Sequence, residues 1–221
     1  MRDDFWWRRS DLLYLIGGAP RVGKSILGQQ VAATLRMGWI STDLLMELLR
    51  TANSDGVKTV WDASPKAIGS NAEWFFPYLE RFIWGASSVA ENYLIEGVDF
   101  LPEQAAKLSS QYQIQAVFLG ISQIKLESFD RFQGRSHGYA DLSEELRRQI
   151  VHDVPLWSEF IREQAEHFGF PYFDMSNDFA ERLAAIQCAQ KIRGHQEFHF
   201  LGRSAKEMRG LAFRVAPGVV D

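Results

Sequence analysis

The stretch LLYLIGGAPRVGKS, residues 12–25, decides how this chain is read. Its first five residues, Leu12 to Ile16, form an apolar run of the length expected for a buried parallel strand. Gly17 and Gly18 break the run, and Gly18, Gly23, Lys24 and Ser25 then complete the spacing G-x-x-x-x-G-K-S of a phosphate-binding loop. Glycine at both ends lets the backbone wrap closely around an anion, because glycine enters positive φ without strain. Inward-facing N–H groups and the N-terminus of the next helix supply partial positive charge. Lys24 adds a full charge, and the Ser25 hydroxyl is suited to Mg²⁺. Downstream, ILGQQVAATLR at 26–36 puts Leu27, Val31 and Leu35 on one helical face. This strand–loop–helix context predicts phosphate binding by Gly18, Ala19, Pro20, Arg21, Val22, Gly23, Lys24, Ser25 and Ile26.

Composition narrows the partners. The chain has 221 residues, a length suited to one α/β domain with insertions. A hydrophobic fraction of 46% supports a core, and a net charge of −4 offers no bulk electrostatic case for nucleic acid. The single cysteine, Cys188, cannot form an internal disulfide, which fits a reducing compartment. No apolar stretch approaches the roughly 20 residues that span a bilayer, and the opening MRDDFWWRRSD lacks a signal-peptide core. A cytoplasmic protein with no membrane partner is the expectation. The aromatic triplet at 5–7 is read as packing against the outside of the domain.

Working outward from the loop, GWISTD at 38–43 reads as a second strand ending in an acid, followed by a helix from Leu44. Thr42 is expected to cap that helix, with Asp43 facing the ligand crevice at the strand end; capping by Asp43 itself is the bland alternative. Helical periodicity fades over 51–69, which suggests an excursion, about 51–92, that carries substrate-binding elements. Trp61, Trp74, Phe75, Phe76, Tyr78 and Trp84 lie here and are read mostly as core. The third strand, YLIEGV at 93–98, closes on Glu96, where a carboxylate organising Mg²⁺ through water is needed. A short helix starts at Pro102, and QIQAVFLG at 113–120 is the fourth strand.

Residues 130–139, DRFQGRSHGY, place Arg131 and Arg135 four apart in a glycine-rich segment, suited to clamping phosphate. A capping box at 141–144 opens one helix, and Pro155 is expected to begin another with Leu156, Phe160, Ala165 and Phe168 inward. A fifth strand at 170–175, a last helix at 179–192 and a weakly patterned tail at 194–221 complete the chain. His195 and His199 are too isolated for a metal site.

Four of these motifs together resemble the superfamily of P-loop small-molecule and nucleoside-monophosphate kinases. GGAPRVGKS at 17–25 is the first. ISTD at 40–43 resembles the segment after the second strand in 2-phosphoglycerate kinases, where the acid matched by Asp43 contacts or deprotonates the acceptor hydroxyl. LIEGVDFLP at 94–102 is similar to a third-strand segment of that family and gives Glu96 the role of organising Mg²⁺. RFQGR at 131–135 is similar to the lid entry of adenylate kinases, which implies that Arg131 stacks on adenine and Arg135 touches the transferring phosphate. Arg21 and Val22 depart from the small residues typical of adenylate kinases, and no AMP-binding arginine pattern is recognisable between 51 and 93.

The resemblance implies a single three-layer α/β P-loop domain with a parallel five-stranded sheet in the order 2-3-1-4-5, helices on both faces and a lid at about 130–140. It implies an ATP- and Mg²⁺-dependent kinase acting on a small hydroxyl or phosphorylated metabolite. Lys24, Asp43 and Arg135 would be catalytic, with Ser25 and Glu96 at the metal. A nucleotide-dependent ATPase or switch that binds a protein partner is the rival class. A kinase-fold toxin or resistance enzyme acting on a sugar or antibiotic shares the chemistry and differs in acceptor.

Overall fold

The computed structural model describes residues 12–52, 61–89, 92–124 and 142–176, together with 181, 182, 184 and 186. Strands β1 (Leu12–Gly18), β2 (Gly38–Ser41), β3 (Tyr93–Gly97), β4 (Gln113–Gly120) and β5 (Tyr172–Asp174) form one sheet in the order β2-β3-β1-β4-β5. Every pairing is parallel. The expected strand order is therefore present, with β1 at the centre. Its central place explains its composition: Leu13, Tyr14, Leu15 and Ile16 are all buried, because both faces of the strand are covered.

Helix α1 (Lys24–Leu35) follows the loop, and α2 (Thr42–Ala52) follows β2. A 25-residue helix, α3 (Pro65–Val89), precedes β3. Helix α4 (Pro102–Ser109) lies between β3 and β4, and α5 (Glu144–Phe168) precedes β5. Side chains of successive strand residues point to opposite faces, and β3 shows which helix covers which. Tyr93 meets Phe82 of α3 edge-on, with ring centroids 5.6 Å apart. Its neighbour Leu94 lies against α1, where a Cβ on Gly28 would come within 3.2 Å of it. Helices α1 and α3 thus cover opposite faces, which is the three-layer arrangement.

Several local expectations change. The second strand stops at Ser41, so Thr42 and Asp43 belong to the first turn of α2. Neither caps it in the expected way: the Asp43 amide donates to Ser41 Oγ at 3.3 Å. Thr42 is turned inward, because Gly97 leaves its side chain room, and a Cβ there would lie 1.7 Å from Thr42 Oγ1. The described part of 51–69 holds the end of α2 and the start of α3, where Ser64 caps the helix by accepting from the Ala67 amide ahead of Pro65.

Pro155 does not begin a helix but sits inside α5. Ile150, Val154, Trp157, Ile161 and Ala165 carry a buried stripe through it, and this packing holds the helix together across the missing N–H. The stripe also turns Leu156 and Phe168 outward; they are 59% and 37% exposed rather than inward. Ser143 caps α5 by accepting from the Leu146 amide. In α3, Phe75 is buried, but Trp74, Tyr78 and Trp84 are exposed, so the aromatic segment is only partly core. Trp61 packs on Trp157 at 5.7 Å and donates Nε1 to Asp153 Oδ2 at 2.8 Å.

At the far side of the sheet, Ser122 and Ser176 join the ends of β4 and β5 around Asp174. Residues 181, 182, 184 and 186 are helical, within the expected last helix. The segment 130–140 and the tail 194–221 lie outside the described residues.

Candidate active site

The loop between β1 and α1 has the geometry its glycines predict. Gly18 has φ 144°, and a Cβ there would fall 2.1 Å from the Leu119 carbonyl oxygen of neighbouring β4. Gly23, the residue before α1, is left-handed at φ 92°, and its carbonyl accepts from the Leu27 amide. Between them Arg21 also lies at positive φ, 62°, where a non-glycine residue carries strain. Ala19 and Val22 are buried, so the loop is anchored from beneath by apolar contacts. Its crest is left to Pro20, Arg21 and Gly23.

Lys24 is buried, and its Nζ donates to the Ala19 carbonyl oxygen at 2.7 Å. Burial pushes its pKa down, against the opposing pull of Glu96, Asp43 and Asp99. Parallel pairing sets Ser41 of β2 opposite Glu96 of β3. Glu96 is 1% exposed, and burial raises its pKa, opposed by Lys24 and by hydrogen bonds from Ser41 and Ser25. With β1 paired on the other edge of β3, the sheet brings together a buried carboxylate, the Ser41 hydroxyl of β2 and the P-loop residues Lys24 and Ser25.

Glu96 Oε1 is enclosed with no hydrogen-bond partner among the described residues. A buried carboxylate oxygen without a donor is costly, and a hard cation bound beside it would supply the missing partner. The set formed by Ser25 and Glu96 offers only oxygen, the chemistry Mg²⁺ prefers. These residues fit the ion. Among the described residues no group of three or more His, Cys, Asp or Glu side chains is placed to hold a metal unaided. Mg²⁺ ordinarily needs only one or two carboxylates when substrate phosphates complete its shell.

Asp99, a further acid that acts on Lys24, is given no role by the sequence alone. Thr42, fully buried, donates Oγ1 to Asp99 Oδ2 at 2.5 Å. Asp99 follows β3 in the quoted LIEGVDFLP segment, and its pKa is raised to about 6 by desolvation and by Asp43. Lys24, Arg50 and the Thr42 bond oppose the rise. Asp43 is exposed at the start of α2 and acts electrostatically on Lys24, Glu96 and Asp99. The signal available in the sequence was position alone: Asp99 stands three residues after Glu96, just past the end of the same strand.

Of the sequence-predicted residues, the loop 18–26, Asp43 and Glu96 therefore gather at the carboxyl edge of β1, β2 and β3. Arg131 and Arg135 lie outside the described residues. No described helix is long and apolar enough to cross a membrane.

A loop of the spacing G-x-x-x-x-G-K-S after the central strand of a parallel 2-3-1-4-5 sheet, with helices on both faces, defines a three-layer α/β P-loop fold. Comparison with solved structures finds kinases at low identity. Shikimate kinase from Acinetobacter baumannii in complex with shikimate is 18% identical, with 85% of this chain and 96% of that chain covered and a TM-score of 0.48. A putative kinase from Chloroflexus aurantiacus is 17% identical over 85% and 100% of the two chains, with a TM-score of 0.48. A gluconokinase from Sinorhizobium meliloti is 15% identical over 85% and 100%, with a TM-score of 0.41. No family model matches the sequence, and no curated protein matches it. The strand order and the site stand on this chain's own backbone.

Proposed function

We propose that the protein is an ATP- and Mg²⁺-dependent phosphotransferase that moves the γ-phosphoryl group to a hydroxyl of a small molecule. The observation that carries this reading is the convergence on Lys24 of two different surroundings. One is the P-loop with Ser25 and Glu96; the other is the pair Asp43 and Asp99 at the ends of β2 and β3. A donor cradle alone serves any nucleotide-binding protein. A second set of carboxylates acting on the same lysine from the ends of β2 and β3 supplies what an acceptor hydroxyl needs.

In this mechanism the amides of 18–25 hold the donor phosphates, and Lys24 exchanges its bond to the Ala19 carbonyl for the β/γ-phosphate oxygens. Ser25 and Glu96 would hold Mg²⁺, which when bound neutralises charge on the phosphates. Asp43 orients the acceptor hydroxyl and accepts its proton as the oxygen bonds to the γ-phosphorus. The bond from that phosphorus to the bridging oxygen breaks, and ADP leaves with the electron pair. Arg135 would steady the transferring group and Arg131 the base. Catalysis is positioning and charge stabilisation, with little covalent work by the protein.

The test is ADP release from ATP–Mg²⁺ with and without candidate hydroxyl acceptors, beside a direct measurement of ATP binding. Acceptor-dependent ADP formation, lost in Lys24→Ala, is expected. ATP hydrolysis that no acceptor stimulates would favour the ATPase or switch class.

A further inference from the structure

We propose that Asp99 is a specificity-determining residue of the acceptor site, and that Asp43 and Asp99 together select a neutral polyol over a phosphorylated or carboxylated acceptor. This rests on the kinase reading above and narrows its acceptor.

Position comes first. Asp99 lies just past the end of β3, and Asp43 just past the end of neighbouring β2. The two acids therefore flank one notch of the crevice rim, with Lys24 acted on by both. The notch is rigid. Phe100, next to Asp99, is buried and packs edge-on with Phe118 at 6.2 Å. The Leu101 amide is held by Gln104 Oε1 at 3.0 Å, which fixes the start of α4. From the other side, Thr42 holds Asp99 Oδ2. A carboxylate fastened in this way presents its remaining lone pairs in a set direction.

Chemistry comes second. An ionised carboxylate only accepts hydrogen bonds, and its two oxygens offer about four lone-pair sites. The single Thr42 proton occupies one of them. What completes such a group is a donor, and neighbouring hydroxyls of a polyol are donors that can reach two carboxylates at once. A phosphate or carboxylate on the acceptor would bring like charge against both acids. Among the described residues the cations acting on Asp99 are Lys24 and Arg50; Arg50 gives a terminal guanidinium nitrogen to Glu47 and keeps its Nε enclosed, away from an incoming acceptor. Lys24 belongs to the donor phosphates.

The experiment uses the full chain with ATP–Mg²⁺ and matched probes: glycerol, pentitols, inositols and aldohexoses against glycerol phosphate, hexose phosphates and glycerate. ADP release stimulated by at least one neutral polyol above its charged counterpart is expected. Asp99→Asn should then raise the KM for that polyol roughly 10- to 100-fold, the loss of a charge-assisted hydrogen bond. The KM for ATP should hold, and kcat should fall less than the polyol KM rises. Preference for the charged partners overturns the inference and leaves the kinase reading intact, as does a polyol KM unmoved in Asp99→Asn that still binds ATP. ATP bound without stimulation by any polyol also overturns it. Failure of the wild-type chain to bind ATP overturns the kinase reading itself.

Discussion

Thr42 donates its hydroxyl to Asp99 at 2.5 Å, joining residues 57 apart in sequence at the ends of two adjacent strands. The bond has room to form because Gly97 presents no side chain to Thr42. It ties the start of α2 to the segment just past β3 at the rim of the crevice. In Gly97→Ala the new Cβ would fall within 1.7 Å of Thr42 Oγ1. Overpacking of a rigid site of this kind costs about 1–3 kcal/mol. Thermal or urea unfolding should show that loss, and acceptor-dependent turnover should fall with it; equal stability would mean that Thr42 has freedom to move aside.

Removing the buried charge at Lys24 tests the donor side. Lys24→Ala should lower phosphoryl transfer by roughly 10²–10³-fold, the loss expected for one preorganised donor, about 2.7–4 kcal/mol. Because Lys24 is buried beside Glu96, the variant also leaves that carboxylate without its cation. Turnover should be compared in protein that melts cooperatively. Unchanged ATP turnover in such protein would sink the assignment of Lys24.

Asp43→Asn keeps the size of the side chain and removes its basicity. Phosphoryl transfer should drop by roughly 10²–10⁴-fold, the range for a general base, with ATP affinity little changed. If ATP–Mg²⁺ binding is lost instead, Asp43 serves the metal and Glu96 loses that preference. The helix start itself should survive, since Ser41 Oγ, not the Asp43 side chain, receives the Asp43 amide.

The acid at 99 makes stability depend on pH in a defined direction. Its pKa is raised to about 6 from the ordinary 3.8, so between these values the folded chain holds a proton that the unfolded chain has released. Stability contributed by this group is full below the unfolded pKa and is lost as pH rises through about 6. Asp99→Asn, which cannot ionise, should melt higher than wild type at pH 7–8, and the gap should close toward pH 4. Melting curves across pH 4–8 check this. A gap that stays constant would place the ionised carboxylate in a better-solvated or better-paired setting than burial implies.

Much of the fold is legible in the sequence alone. The strand β1, the loop and α1 are contiguous, and each carries its own local signal: an apolar run, fixed glycine spacing and a helical stripe. The strands around 93–98 and 113–120 were legible for the same reason, since a buried parallel strand is a short apolar run whatever its neighbours. Asp43 and Glu96 could be singled out because acids at strand ends are visible in one segment at a time.

What tertiary structure decided depends on which segments meet. Periodicity gives no register, and only the pairing of β2 with β3 sets Ser41 opposite Glu96 and brings Thr42 to Asp99. Thr42 therefore looked like a helix cap, although its hydroxyl is used across strands. Pro155 looked like a helix start because proline suits a first turn. Its place inside α5 was decided by the buried stripe from Ile150 to Ala165, whose packing outweighs one lost hydrogen bond. Trp74, Tyr78 and Trp84 stand exposed because α3 has one inward face, and it is taken by Ile68, Ala72, Phe75, Leu79 and Ile83. Sequence spacing records preferences within a segment; contacts between segments settle which preference prevails.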